Sequence, residues 1–282
     1  MIDTKTLDTE IEKTQTIIKD MRSKMDASSE VIEQIAEADT LGDVDFDIEN
    51  ARIQDVLQQQ KTMEANIADM IIGLEDITNS FGDEFKNMQE YTVGERLIGF
   101  FSKNKAQSVR NERVRTTSLA GNLQDLLAKS NIIVGILKEQ KTVLEQRYTT
   151  SEESLRKVID RRKAVTDDLQ TTQKLIESLN PALMDVENKI AASTDQAART
   201  KLEGERSKLA TEYNQAQARE QELLAASQTL ERYTSMFQTF VDSLNNQIAA
   251  QKTLINKLAI DTEQRIVLYK ALEDSLKTAA QQ

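Results

Sequence analysis

Asp43, Asp45 and Asp47 stand at alternate positions, the spacing with which an EF-hand loop opens its calcium shell. Counted from Asp43, the sixth position is Ile48, where the sharp turn of that loop needs Gly. The twelfth is Gln54, where a bidentate Glu is needed. Lacking both, the cluster reads as an acidic, solvated loop, and no metal is expected. Catalysis lacks its usual ingredients as well. The chain has no His to serve as a base, no Cys to serve as a nucleophile and no Gly-rich phosphate loop. Neighbouring carboxylates such as Glu152 and Glu153 are common, but on a charged helix they face solvent or form salt bridges. The expectation is therefore a non-enzymatic protein with no catalytic residue, no cofactor and no small-molecule substrate.

One stretch does have the chemistry of a contact site. Tyr91, Val93, Gly94, Leu97, Ile98, Gly99, Phe100 and Phe101 form a short apolar segment, and cations follow it. Between Thr92 and Arg115 there are six basic residues (Arg96, Lys103, Lys105, Arg110, Arg113, Arg115) and two acidic ones (Glu95, Glu112). The local charge of +4 sits in a chain of net charge −11. Rings that enter the acyl boundary, with cations behind them near anionic headgroups, make an interfacial anchor in which each cation is worth about 1 kcal/mol. The same apolar residues could instead plug the end of a helical bundle, with the cations meeting acidic neighbours. Both readings stay open. The membrane- or partner-contact candidates are Leu97, Ile98, Phe100, Phe101, Lys103, Lys105, Arg110, Arg113 and Arg115.

The elements that would carry this segment are helices. A chain of 282 residues with 1 Pro, 8 Gly and 4% aromatics has little to interrupt a helix and little to fill a globular core. It has enough apolar residues for narrow seams between helices. A first helix is expected over Thr4–Ala36, with Leu7, Ile11, Ile18, Met21 and Met25 on its apolar side. The Asp- and Gly-containing run from Asp39 to Asp47 ends it. Asp47 is the expected cap of a second helix reaching Asn79, with Ile53, Val56, Leu57, Met63, Ile67, Met70 and Ile71 buried and Ser80-Phe81-Gly82-Asp83 as its stop. Met63, Met70 and Met88 read as gap-fillers.

Beyond the cationic stretch, Leu137, Leu144, Val158, Val165 and Leu179 share a seven-residue register that Ser151 and Thr172 interrupt. Asn180-Pro181 is the expected end of that helix. Ala192–Gln196 reads as a hairpin tip with Ser193 as cap and Gln196 closing a capping box. The last helix, about Asp195 to Ala279, has the strongest pattern. Leu202, Leu209, Ala216, Leu223, Leu230, Phe237 and Leu244 occupy seven consecutive heptad positions, and Val241, Ile248 and Ile255 continue the seam in a shifted register. At 1.5 Å per residue this helix would be about 120 Å long, and it must pack on a neighbour in its own chain or in another.

The order of features resembles the bacterial toxic-anion-resistance (tellurite-resistance, TelA-like) family over roughly residues 95–280. The likeness rests on Leu97-Ile98-Gly99-Phe100-Phe101-Ser102-Lys103-Asn104-Lys105 leading into a helix with Leu119, Leu123, Leu126 and Leu127. It continues in Asn245-Asn246-Gln247-Ile248-Ala249-Ala250-Gln251 and in Leu268-Tyr269-Lys270-Ala271-Leu272. It implies a cytoplasmic helical protein linked to membrane or envelope stress, and it carries over no individual functional residue. With no Cys in the chain, a structural role in stress protection fits better than thiol reduction of an oxyanion.

The expected architecture is all-α: an elongated bundle with an N-terminal helical pair at 1–90 and a long antiparallel coiled-coil region at 91–282. The expected function is a cytoplasmic scaffold, peripheral at the inner membrane, in envelope or toxic-anion stress. The alternatives are a helical pore-forming toxin component and a purely structural, self-assembling coiled coil. Partners would be proteins bound through helical seams, an anionic membrane surface or further copies of the chain. The net charge of −11 speaks against nucleic acid. The start, Met1-Ile2-Asp3-Thr4-Lys5, lacks the pattern of a signal peptide, and no run approaches the roughly 18 apolar residues of a membrane-spanning helix.

Overall fold

The structure, a computed structural model, describes the chain except for residues 1–3, 38–43, 90–94, 98, 100–101, 117–118 and 282. Side chains at 4, 81–82, 84–89, 110–116, 119–123, 272–273, 276–277 and 279–281 also fall outside that description. The elements are α1 (Thr4–Glu37), α2 (Phe46–Gln89), α3 (Lys103–Thr116), α4 (Leu119–Ala192) and α5 (Gln196–Gln281). Among the described residues there is no strand. The chain is an all-α helical bundle in which α4 and α5 pack against each other.

The N-terminal helices repeat with a regularity that their sequence only partly discloses. On α1 the buried positions Leu7, Ile11, Thr14, Ile18, Met21, Met25, Ser28, Ile32 and Ile35 alternate steps of four and three, with Ser29 buried beside Ser28. On α2 the same alternation runs through Ile53, Val56, Met63, Ile67, Met70, Leu74 and Ile77, with half-buried Gln60 in the remaining place. Steps of four and three average 3.5 residues, so one narrow stripe of each helix faces its neighbours throughout.

The chain divides into two compact units that cut across the helices. The first comprises Met1–Asp26, Ile53–Arg147 and Ser243–Gln282, and the second comprises Ala27–Arg52 and Tyr148–Asp242. The expected N-terminal pair at 1–90 is therefore not a unit by itself, because α1 and α2 each contribute to both.

In the first unit, α1 runs antiparallel to α2, with Lys24 of α1 paired to Asp55 at 3.8 Å and Asp20 accepting from the Gln59 amide. That amide, and secondarily Lys24, hold the Asp20 carboxyl below the usual carboxylate range. α1 meets α4 through Lys129 on Asp8 (2.6 Å) and Arg147 on Asp26 (2.7 Å). In the second unit the antiparallel course of α4 and α5 is marked by Arg162–Glu231, Asp168–Arg219 and Glu187–Arg206.

Four local expectations are corrected. The cap of α2 is Asp45, whose carboxylate accepts from the amides of Asp47 (2.9 Å) and Ile48 (3.2 Å). Asp47 lies inside the first turn. The cap of α5 is Asp195, which accepts from the Ala198 amide at 3.3 Å, while the Ser193 hydroxyl bonds to the Asp195 carbonyl. Helix α2 continues through Ser80–Asp83 to Gln89, since one helical Gly costs only about 1 kcal/mol. Helix α4 continues through Pro181 to Ala192. Leu179 and Val186 are buried on either side of Pro181, and their packing offsets the lost hydrogen bond.

Candidate contact surface and polar core

The candidate contact segment is built from a capped helix and a preceding turn. Ser102 starts α3: its hydroxyl accepts from the Lys105 amide at 3.4 Å and its carbonyl from the Ala106 amide at 3.1 Å. Residues 95–97 and 99 are helical. A Cβ added to Gly99 would lie 3.6 Å from the Ala106 Cβ, so the turn before α3 packs closely on its buried alanine. Glu95 is buried at this contact end, while Arg96 points to solvent.

Of the sequence candidates, Leu97 is 58% exposed, and Lys103 and Lys105 are exposed as well. Val109, which the sequence reading did not single out, is 40% exposed six residues beyond Lys103 on α3. Ile98, Phe100 and Phe101 lie outside the described residues, as do the side chains of Arg110, Arg113 and Arg115. The described part of the segment thus presents an aliphatic side chain to solvent with Arg96, Lys103 and Lys105 also at the surface. A large exposed apolar residue near cations is the combination an interface between water and lipid accommodates.

The seam residues of α5 divide by position. Leu223, Leu230, Phe237 and Leu244 are buried, with Ala216 beside them in the repeat. Leu202 and Leu209 are half-buried, as are Ile248 and Ile255. Past Leu244 the buried heptad positions stay in the original register and are filled by Gln251, Leu258 and Arg265. The shifted register expected through Ile248 and Ile255 is not the centre of the core. The sequence reading missed this because Gln and Arg at core positions look like surface.

A polar cluster lies in the core of the first unit. Arg265 is 2% exposed and donates to the hydroxyls of Thr78 (3.0 Å) and Ser130 (3.4 Å). Ser130 and Thr262 share a hydrogen bond of 2.7 Å. Burial pulls the Arg265 guanidinium below its ordinary range, and the charges of Asp261 and Glu75 oppose that. Elsewhere in the same core the Ser243 hydroxyl donates to Gln60 at 3.4 Å, Gln247 donates to Ser243 at 3.2 Å, and Gln140 accepts from Arg22 at 2.7 Å.

The described residues contain no group of three or more His, Cys, Asp or Glu side chains able to hold a metal ion. A shallow depression on one face of α1, lined by Glu30, Glu33, Gln34 and Glu37, gathers carboxylates without a nucleophile or an opposing wall. No helix among the described residues is long and apolar enough to cross a membrane. No protein-family model matches the chain, and no curated protein matches it either.

Proposed function

We propose that the protein is a non-enzymatic helical scaffold that attaches peripherally to an anionic membrane surface through the segment around Leu97–Arg115. The observation that carries this reading is Leu97, 58% exposed and preceding the exposed Lys103 and Lys105 on the capped start of α3. A large aliphatic side chain in water costs free energy that insertion at the acyl boundary recovers, and the flanking cations add attraction to anionic headgroups. The sequence window Thr92–Arg115 has a positive balance in a chain of net charge −11, which directs that attraction to one place. The resemblance to toxic-anion-resistance proteins supplies the setting: protection of the envelope under tellurite or related stress, from the cytoplasmic side.

Flotation with vesicles rich in phosphatidylserine tests the reading. Binding to anionic vesicles that weakens as salt rises supports it, and absence of binding at every salt concentration removes it. Leakage of vesicle contents would point instead to a pore-forming component.

A second reading, self-assembly through coiled-coil seams, draws on the second unit. There Leu202 and Leu209 are only half-buried, and Leu175 and Met184 are exposed. Sedimentation velocity of the full chain decides whether copies associate there.

A further inference from the structure

Long helices with apolar residues at every heptad position have a problem of alignment. Sliding one helix by seven residues restores nearly the same apolar contacts, so burial alone does not choose between neighbouring positions. Polar residues at core positions break that degeneracy, because a slide that separates them leaves buried donors and acceptors unpaired. The first unit contains such residues where α2 lies along α5. The two helices run parallel, and three contacts confine their offset to less than one heptad: Gln60 with Ser243, Met63 with Gln251 and Thr78 with Arg265, separated by 183, 188 and 187 positions.

We infer that Arg265 and Ser243 of α5, read by Thr78 and Gln60 of α2, form a register key that seats α2 at one heptad and rejects its two neighbours. The sequence of α2 shows why the key discriminates. A slide of seven residues in either direction would bring Ile71 or Phe85 to the place of Thr78. The same slide would bring Ile53 or Ile67 to the place of Gln60. On the α2 side, both slipped states set the buried guanidinium and the Ser243 hydroxyl against hydrocarbon, leaving Arg265 its bond to Ser130 and Ser243 its bond from Gln247. Ser130 of α4, itself hydrogen-bonded to Thr262 of α5, strengthens the key by holding Arg265 from the α4 side. Between Ile53 and Ile77 the rest of the stripe on α2 (Ile53, Val56, Met63, Ile67, Met70, Leu74 and Ile77) is apolar and would accept any of the three positions, while Glu49, buried one step earlier, is paired to Arg52 of its own helix.

The chain contains no Cys, so spin labels can be placed at Ile72→Cys and Ile260→Cys, both exposed and in the same unit. With the key intact, dipolar spectroscopy should give one distance. A keyless protein, Gln60→Leu/Thr78→Val/Ser243→Ala/Arg265→Met, replaces buried polar groups with apolar ones of similar size and should remain helical. It should show a second distance from molecules displaced along the axis by about 10 Å, the rise of one heptad. A helical keyless protein with the single original distance overturns the inference.

A second protein keeps the composition and moves the key: Ile53→Gln/Gln60→Ile/Ile71→Thr/Thr78→Ile. Its principal distance should change to that of the state displaced by seven residues. An unchanged distance in this variant overturns the inference whatever the keyless protein does.

Discussion

The Tyr233 hydroxyl of α5 donates to the main-chain carbonyl of Val44 at 2.7 Å, joining positions 189 residues apart. This bond pins the chain immediately before α2. The Phe46 ring lies 6.0 Å from the Tyr233 ring, and the Arg232 guanidinium sits 4.2 Å from the Phe46 centroid. With Asp45 capping the helix between them, side chains from one turn of α5 hold the first turn of α2 in place. Tyr233→Phe keeps the ring but leaves the Val44 carbonyl unpaired, and should cost about 1 kcal/mol in urea unfolding. Amide exchange over residues 46–52 should quicken in the same variant. Arg232→Ala should cost about 0.5–1 kcal/mol, the usual worth of a cation–π contact at a surface.

The core of the second unit depends on Phe237, which is fully buried next to Tyr233, with ring centroids 6.3 Å apart. Phe237→Ala should cost about 3–5 kcal/mol, because the cavity it leaves adds to the lost transfer free energy. Denaturant unfolding with an unchanged slope checks this. A loss under about 1 kcal/mol would mean the site collapses around the smaller side chain.

Pro181 interrupts the hydrogen bonding of α4 without ending the helix. Pro181→Ala restores an amide donor at an exposed position and should raise stability by about 1–3 kcal/mol. A destabilised Pro181→Ala variant would show that the ring itself makes packing contacts that Ala cannot replace.

Alkaline stability should depend on Lys129. Hydrogen bonding to Asp8 raises its ammonium above the ordinary lysine value of 10.5, against the opposing effect of burial. The folded chain therefore holds this proton more tightly than the unfolded chain. The resulting stability is fully present below pH 10.5 and is lost as the pH rises through the folded value. Melting temperatures taken across that window should fall more steeply for the wild type than for Lys129→Met. Parallel curves would show that the Lys129–Asp8 pair contributes nothing measurable to folding.

What the sequence discloses depends on whether a residue's type agrees with its place. Leu223, Leu230, Phe237 and Leu244 are buried apolar residues repeating every seven positions, so the heptad of α5 can be read without a structure. The same repeat continues through Gln251 and Arg265, and there the pattern breaks down because polar residues occupy core positions. Their burial is bought by partners on other helices, such as Thr78 and Ser130, which no local window contains. Caps fail for a different reason. Asp45 and Asp47 are equally good cap residues, and only the course of the backbone decides that Asp45 accepts the first free amides. Pro181 and Gly82 look like breakers because propensity is local, whereas the packing that carries a helix through them is not. At the contact segment, composition marks Leu97, Lys103 and Lys105. Their exposure is set by which faces the helices turn inward, and composition does not state that.

The central claim, peripheral attachment through the segment beginning at Leu97, is tested most directly by titrating the labelled full chain with phosphatidylserine-containing vesicles at low salt. Wild type should be compared with Leu97→Asp and with Lys103→Glu/Lys105→Glu. All three substitutions are at exposed positions and should leave the helical content unchanged. The account predicts saturable binding by the wild type. At about 1 kcal/mol per cation near the surface, reversing two charges should weaken binding by roughly 30-fold or more. Leu97→Asp should weaken binding at every salt concentration, since it removes the inserted side chain itself. Wild-type affinity in both variants, or no vesicle binding by the wild type, would contradict the account.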